Sequence, residues 1–132
     1  MKSNLDFARG LARKADHDIQ LVDVAVEHGA PLDALCFHLQ QAAEKLLKAA
    51  LSTLAVSYPL THDLEALLDL ALPQLPRLER FRDRLLTFSS YAVEMRYDEE
   101  IYPSREEVDA ARTTVLDLRQ RLTELLPPAV FE

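Results

Sequence analysis

Apolar residues recur every three or four positions along most of this chain, which is the spacing that one face of an α-helix requires. The widest apolar arc lies between residues 32 and 54. Its members are Leu32, Leu35, Cys36, Leu39, Ala43, Leu46, Leu47, Ala50 and Leu54, and the residues opposite are Gln41, Lys45, Lys48 and Ser52. So wide an arc predicts a helix from Pro31 to Ala55 at the centre of a bundle. Phe37 falls among the polar residues and indicates a second packing surface.

The same periodicity predicts a long helix before this one and a short helix after it. The first runs from Asn4 to His28 and ends at Gly29, a residue type that often terminates helices. The short helix covers Leu64 to Leu72, with Thr61 as its N-cap.

Two more helices follow the prolines at positions 73 and 76. The inward stripe of the fourth is Leu78, Phe81, Leu85, Phe88, Ala92 and Met95, and a second row beside it is Leu86, Val93 and Tyr97. The fifth begins with a capping box from Ser104 to Glu107 and ends before Pro127. Its apolar positions are Val108, Ala111, Val115, Leu118, Leu122 and Leu125. The pattern therefore predicts an all-α, five-helix, up-and-down bundle.

Composition agrees with one helical domain. The chain has 132 residues, of which 48% are hydrophobic, and only two glycines. This length is typical of one domain, and no linker is long enough to separate two, so we expect a single domain over residues 1–132. The glycine content does not favour a loop-rich β architecture or a phosphate-binding glycine loop.

Charge and cysteine content argue against a nucleic-acid-binding surface, a disulfide-stabilised fold and a metal site. The net charge of −7 argues against a broad nucleic-acid surface. The single cysteine, Cys36, allows no internal disulfide, and the histidines show no metal-ligand spacing, so the sequence indicates no metal and no cofactor. No apolar stretch is long enough to cross a membrane, and we expect a soluble, cytoplasmic protein.

Two charged residues point toward the predicted core. Asp18 interrupts the apolar stripe of the first helix, where an unpaired carboxylate would be costly. Arg96 lies on the inward side of the fourth helix, at its C-terminal end, where a cation also suits the helix dipole. If the two side chains form an ion pair, each charge compensates the desolvation cost of burying the other. The pair is then either structural or functional.

The polar edge of the central helix allows two interpretations. Lys45 and Lys48, with Gln41, have the spacing to hold a phosphate, whereas Glu44 and Lys48 also have the i,i+4 spacing of an ordinary surface ion pair. The solvated surface is the favoured interpretation. His38 is predicted to be a boundary residue of this helix.

Three segments together resemble the HEPN family of small helical domains. They are Cys36-Phe37-His38-Leu39-Gln40-Gln41-Ala42-Ala43-Glu44-Lys45 with Lys48-Ala49, then Thr61-His62-Asp63-Leu64, then Arg96-Tyr97, and the first helix adds Ala15 and Asp18. The resemblance covers most of the chain. It implies a HEPN-type bundle and a homodimer in which the helix ends that carry Arg96 meet across the two-fold axis. It also implies that the protein is the partner of a minimal nucleotidyltransferase in a toxin-antitoxin-like or nucleotide-binding system.

The resemblance also bears on catalysis. In the family's ribonuclease motif a His follows the Arg after four to six residues, but Ile101, Tyr102 and Pro103 occupy those positions here. RNA cleavage needs a proton acceptor and donor near neutral pH, the role that His fills best. The incomplete motif therefore favours a non-catalytic or weakly catalytic partner protein. The alternatives are a metal-independent ribonuclease toxin with a displaced acid or base and a non-catalytic dimeric nucleotide-binding or scaffold module.

The candidate site residues follow from these two lines of reasoning. Arg96 and Tyr97 are the first candidates for chemistry, and Asp18 is the expected orienter of Arg96. Lys45, Lys48 and Arg96 are the candidate nucleotide ligands. The acidic run from Asp98 to Glu100 would repel an RNA backbone and suits a basic or magnesium-binding protein.

Overall fold

Helices account for the secondary structure that can be described. The computed structural model describes residues 1–95, 97–98, 100 and 102–132, and for residues 90–95 it describes the backbone alone. These residues form five α-helices and no β-strand. The helices are α1 (Asn4–Glu27), α2 (Leu32–Thr53), α3 (Leu64–Ala71), α4 (Arg82–Met95) and α5 (Arg105–Leu125), with 3₁₀ segments at Pro76–Phe81 and Pro128–Phe131. The predicted all-α bundle is confirmed.

Helix α2 lies at the centre, as its wide apolar arc predicts. It contacts α1, α3, α4 and α5, and its most extensive contact is with α1. Leu39, Leu46 and Leu47 are completely buried. Four of its alanines are also completely buried, and their small side chains allow neighbouring helices to approach closely. They are Ala42, Ala43, Ala49 and Ala50.

Two helix ends were predicted from local sequence. Helix α1 is capped by His28, and Gly29 adopts a left-handed conformation with φ of 73°, which glycine tolerates well. At the start of α5, the Ser104 hydroxyl accepts a hydrogen bond from the Glu107 N–H at 3.1 Å, and the Glu107 carboxylate accepts one from the Ser104 N–H at 3.4 Å. Both predictions are confirmed.

The N-cap of α3 was predicted wrongly. Asp63, not Thr61, caps this helix, because its extended backbone lets the carboxylate accept from the N–H groups of Glu65 and Ala66. The Thr61 hydroxyl instead accepts a hydrogen bond from the Asp63 N–H at 3.1 Å. Thr61 therefore supports the residue that forms the cap.

The ends of two other helices also differ from prediction. Helix α2 stops at Thr53, and Ala55 takes the left-handed conformation at which glycine is usual, with φ of 58°. The fourth helix does not begin directly after Pro76. Residues 76–81 wind as a 3₁₀ segment, in which the Leu78 N–H bonds to the Leu75 carbonyl.

The fourth predicted stripe is buried as far as the structure describes it. Leu78, Phe81, Leu85 and Phe88 belong to the hydrophobic core. The side chains of Ala92, Met95 and Val93 lie outside the described residues. Leu86 and Phe37 are each half-buried. None of the helices in the described part of the chain is long and apolar enough to cross a membrane.

Candidate functional site

Two buried carboxylates organise the polar edge of α2. Asp18 comes from α1 and Glu44 from α2 itself, and both belong to the few polar residues that the bundle buries. Each carboxylate bonds to one lysine and one histidine. We call these groups the Asp18 cluster (Asp18, His38 and Lys45) and the Glu44 cluster (Glu44, Lys48 and His62).

The Asp18 cluster joins α1 to α2. The Lys45 ammonium lies 2.6 Å from Asp18 Oδ2, and His38 Nδ1 lies 3.1 Å from Asp18 Oδ1. The side chain of Asp18 is 12% exposed and that of Lys45 is 25% exposed. Water therefore screens this pair only in part, and the lysine compensates the cost of burying the carboxylate.

The prediction that Asp18 needs a partner is confirmed, since two described residues bond to it. Its expected partner, Arg96, lies outside the described residues, and its role as orienter of Arg96 stays a prediction. Because a carboxylate can only accept, His38 Nδ1 donates in this contact. The side chain of His38 is 34% exposed.

The Glu44 cluster ties α2 to the connection that leads into α3. Lys48 Nζ lies 3.0 Å and His62 Nδ1 2.8 Å from the Glu44 carboxylate. The buried Gln40 side chain donates to the His62 carbonyl at 3.1 Å, so this histidine is held through its backbone as well. Lys48 Nζ also lies 5.8 Å from the centre of the Tyr58 ring, close enough for a cation–π contact.

The Glu44–Lys48 pair forms as predicted, but its predicted place on a solvated surface is wrong. The two side chains are only 6% and 14% exposed. Sequence reasoning missed the bond between Glu44 and His62. The available signal was the helical wheel, which places Glu44 beside Gln40 and Leu47 at the edge of the apolar arc.

Both lysines proposed as nucleotide ligands are already bonded to carboxylates. A phosphate at Lys45 would have to compete with Asp18, and one at Lys48 would have to compete with Glu44. Binding of an anion here would therefore expose or repel a buried carboxylate. The geometry favours a structural role for the two clusters, which fix α1 and the α2–α3 connection on the central helix.

The described residues that follow α4 have the opposite character, because they are exposed and two of them are acidic. Tyr97 is 82% exposed, and Asp98 and Glu100 are exposed beside it. The Asp98 carboxylate accepts from the Glu100 N–H at 2.9 Å, which shapes a turn. Arg96, Glu99 and Ile101 lie outside the described residues.

Tyr102 connects the end of this segment to α2. Its hydroxyl accepts a hydrogen bond from the Leu32 N–H, the first amide of α2, at 2.8 Å. The side chain remains 53% exposed. The sequence alone drew attention to Tyr102 only because it stands where the family's motif has its histidine.

The single cysteine is not arranged for chemistry. Cys36 is buried beside a cleft of about 410 Å³ between α2, α4 and α5. Burial raises the pKa of its thiol to about 11, and the charges of Glu107 and Asp33 add to this effect. The thiol is therefore protonated at neutral pH and is a poor nucleophile. The described residues contain no group of three or more His, Cys, Asp or Glu side chains placed to hold a metal ion.

Nearly the whole chain is similar to one known protein family. The family model described as HEPN domain matches residues 8–125, nearly the whole chain. The chain belongs to the HEPN domain family. Searches of curated proteins and of solved structures returned no significant match. In this HEPN domain, the matched region contains both clusters and the exposed residues Tyr97, Asp98 and Glu100.

Proposed function

We propose that this HEPN protein is a non-catalytic or weakly catalytic homodimer that works beside a minimal nucleotidyltransferase in a toxin-antitoxin-like pair. Two observations carry the proposal. Arg96-Tyr97 is followed in the sequence by three acidic residues, of which Asp98 and Glu100 are exposed, and the sequence holds no histidine after His62. The Arg-Tyr pair of the family is thus present without the residue that would complete a ribonuclease site.

The charge of the segment supports a protein partner over free RNA. Asp98 and Glu100 are exposed on either side of position 99, where the sequence has a third carboxylate. The chain as a whole carries −7. Carboxylates in this arrangement repel a phosphate backbone and attract a basic or magnesium-binding protein surface.

Tyr97 is the proposed acceptor of a nucleotidyl group from the partner enzyme. Its phenol is well exposed, and an aromatic hydroxyl can accept a nucleotidyl group. In that step the phenol oxygen attacks the α-phosphorus of a nucleoside triphosphate, pyrophosphate leaves, and the phenolic proton passes to a base or to water. Arg96 is the residue proposed to steady the transferred phosphate. The competing proposal is that Tyr97 packs in an interface, for which amphipathic tyrosines are well suited.

Co-expression with the neighbouring nucleotidyltransferase tests the partnership. We expect the two proteins to co-purify, and the HEPN protein to sediment as a dimer when it is alone. The double variant Asp98→Asn/Glu100→Gln should weaken the complex at least about tenfold, because it removes two of the attracting charges. A matched control is Asp117→Asn/Glu124→Gln, which removes two exposed carboxylates from α5. Failure to co-purify would overturn the proposal.

Intact-mass measurement then separates the two proposed roles of Tyr97. A mass increase of one nucleotidyl group that disappears in Tyr97→Phe would establish modification at this residue. An unmodified complex that Tyr97→Phe does not change would retain the partner and discard the modification. A mass increase that persists in Tyr97→Phe would move the acceptor to another hydroxyl.

A further inference from the structure

Helix α2 begins without a cap of its own. Its N-cap residue is Pro31, whose side chain has no acceptor. The Ala34 N–H donates to the neighbouring Asp33 carboxylate at 3.0 Å, but the first amide, that of Leu32, needs a partner from elsewhere. The Leu32 N–H finds one in the Tyr102 hydroxyl, which lies 70 residues away in the sequence. A residue next to the acidic segment therefore completes the start of the central helix.

The two residues that follow Tyr102 are held by burial and by the cap of α5. Pro103 is buried and restricts the backbone of the residue before it to extended conformations. Ser104 follows at once and fixes the start of α5 through its capping box. Tyr102, which is bonded to α2, thus lies two residues before the cap of α5.

We infer that Tyr102 is the positioning residue for the proposed partner-binding residues Tyr97, Asp98 and Glu100, because its bond to Leu32 fixes the chain two residues after Glu100 at the start of α2. The inference rests on the proposed function for the meaning of the segment, but the anchoring itself is a property of the protein alone. The phenol acts as a distant helix cap, since its hydroxyl accepts from the first amide of α2. Loss of the hydroxyl releases the segment while the rest of the bundle keeps its packing.

Amide hydrogen exchange on the free protein tests the anchor. Tyr102→Phe removes one hydroxyl and keeps the ring, and we expect exchange to become about threefold to tenfold faster at Leu32 and across residues 97–101, the size of effect of one hydrogen bond. Tyr97→Phe is the matched control, since it makes the same chemical change five residues away and should leave exchange at Leu32 unchanged. Exchange in Tyr102→Phe that equals the wild type would overturn the inference.

A second variant separates positioning from simple capping. Pro31→Ser gives α2 a local N-cap side chain. Added to Tyr102→Phe, it should restore the thermal stability of the bundle but leave residues 97–101 in fast exchange. If the segment recovers its protection together with the stability, Tyr102 acts only as a cap and the positioning role is wrong.

Affinity for the nucleotidyltransferase gives the functional readout. Titration calorimetry should show about threefold to tenfold weaker binding for Tyr102→Phe, with no recovery on addition of Pro31→Ser. If the wild-type complex does not form at all, the proposed function fails while the exchange result still decides the anchor. If the complex forms and Tyr102→Phe binds as tightly as the wild type, the anchor does not serve the partner surface.

Discussion

Two carboxylates are buried in this small bundle, and individual Lys and His side chains compensate the free-energy cost of burying them. Asp18 and Glu44 would each be strongly unfavourable if they were buried alone. Each is bonded instead to a lysine, which supplies charge, and to a histidine Nδ1, which supplies a directed hydrogen bond. A buried pair of this kind adds little net stability compared with apolar residues, but removing one partner leaves an uncompensated charge.

Replacing Asp18 tests this at the residue scale. Asp18→Asn keeps the shape of the side chain but leaves the partly buried Lys45 ammonium without a counter-charge. We expect the free energy of unfolding in urea to fall by about 2–3 kcal/mol. Asp109→Asn is the control, because it breaks the exposed Arg105–Asp109 pair of α5, and it should change stability by less than about 0.5 kcal/mol.

A double variant completes the Asp18 test. Asp18→Asn combined with Lys45→Met removes both charges, and it should recover most of the loss. Equal, small effects of Asp18→Asn and Asp109→Asn would show that the Asp18 cluster does not behave as a buried ion pair in solution.

At the element scale, paired charges join helices α1 and α5. Arg112 bonds Asp23 through two nitrogens at 2.6 and 3.2 Å, and Arg119 bonds Asp16 in the same way at 2.6 and 2.9 Å. The hydrogen bonds to these carboxylates raise the pKa of both guanidinium groups. On each helix the two residues are seven apart, so both pairs lie on one seam between antiparallel helices.

Charge reversal tests this seam. Asp23→Arg and Arg112→Asp should each destabilise the protein, and the double variant should recover a coupling energy of about 0.5–1 kcal/mol that shrinks in high salt. The same cycle with Asp109→Arg and Arg105→Asp probes a pair within α5, so its coupling should not report on the contact between helices. A cycle at Asp23 and Arg112 without measurable coupling would mean that the packing of apolar residues alone sets how these helices meet.

The sequence predicts a helix cap or a side-chain contact well when the residues that determine it are close together in the chain. The capping box of Ser104 and Glu107 is contained in four residues, and it was predicted correctly. The α3 cap was not, because Thr61 and Asp63 are both suitable cap residues and only the backbone path selects Asp63. The helical wheel placed Asp18 inward, but it could not name Lys45 and His38 as partners, since that depends on how α1 rotates against α2.

Whole-molecule charge and the missing histidine together bear on ribonuclease activity. The chain carries −7, and its last histidine is His62, far in sequence from Arg96. His38 and His62 each donate through Nδ1 to a buried carboxylate, so both rings are tied to the polar edge of α2. Attack by a 2′-hydroxyl needs a proton acceptor and a donor on either side of one phosphate.

We therefore expect the purified protein to cleave structured and unstructured RNAs no faster than an Arg96→Ala variant, with a chelator present to exclude metal-dependent contamination. The variant is the proper control because it removes the first residue of the family's motif. Gel analysis of RNA loss over time gives the comparison. Cleavage that depends on Arg96 would contradict the expectation, and His38→Ala and Tyr102→Phe would then identify the substitute acid or base, because these two side chains combine partial exposure with a hydrogen bond that fixes their orientation.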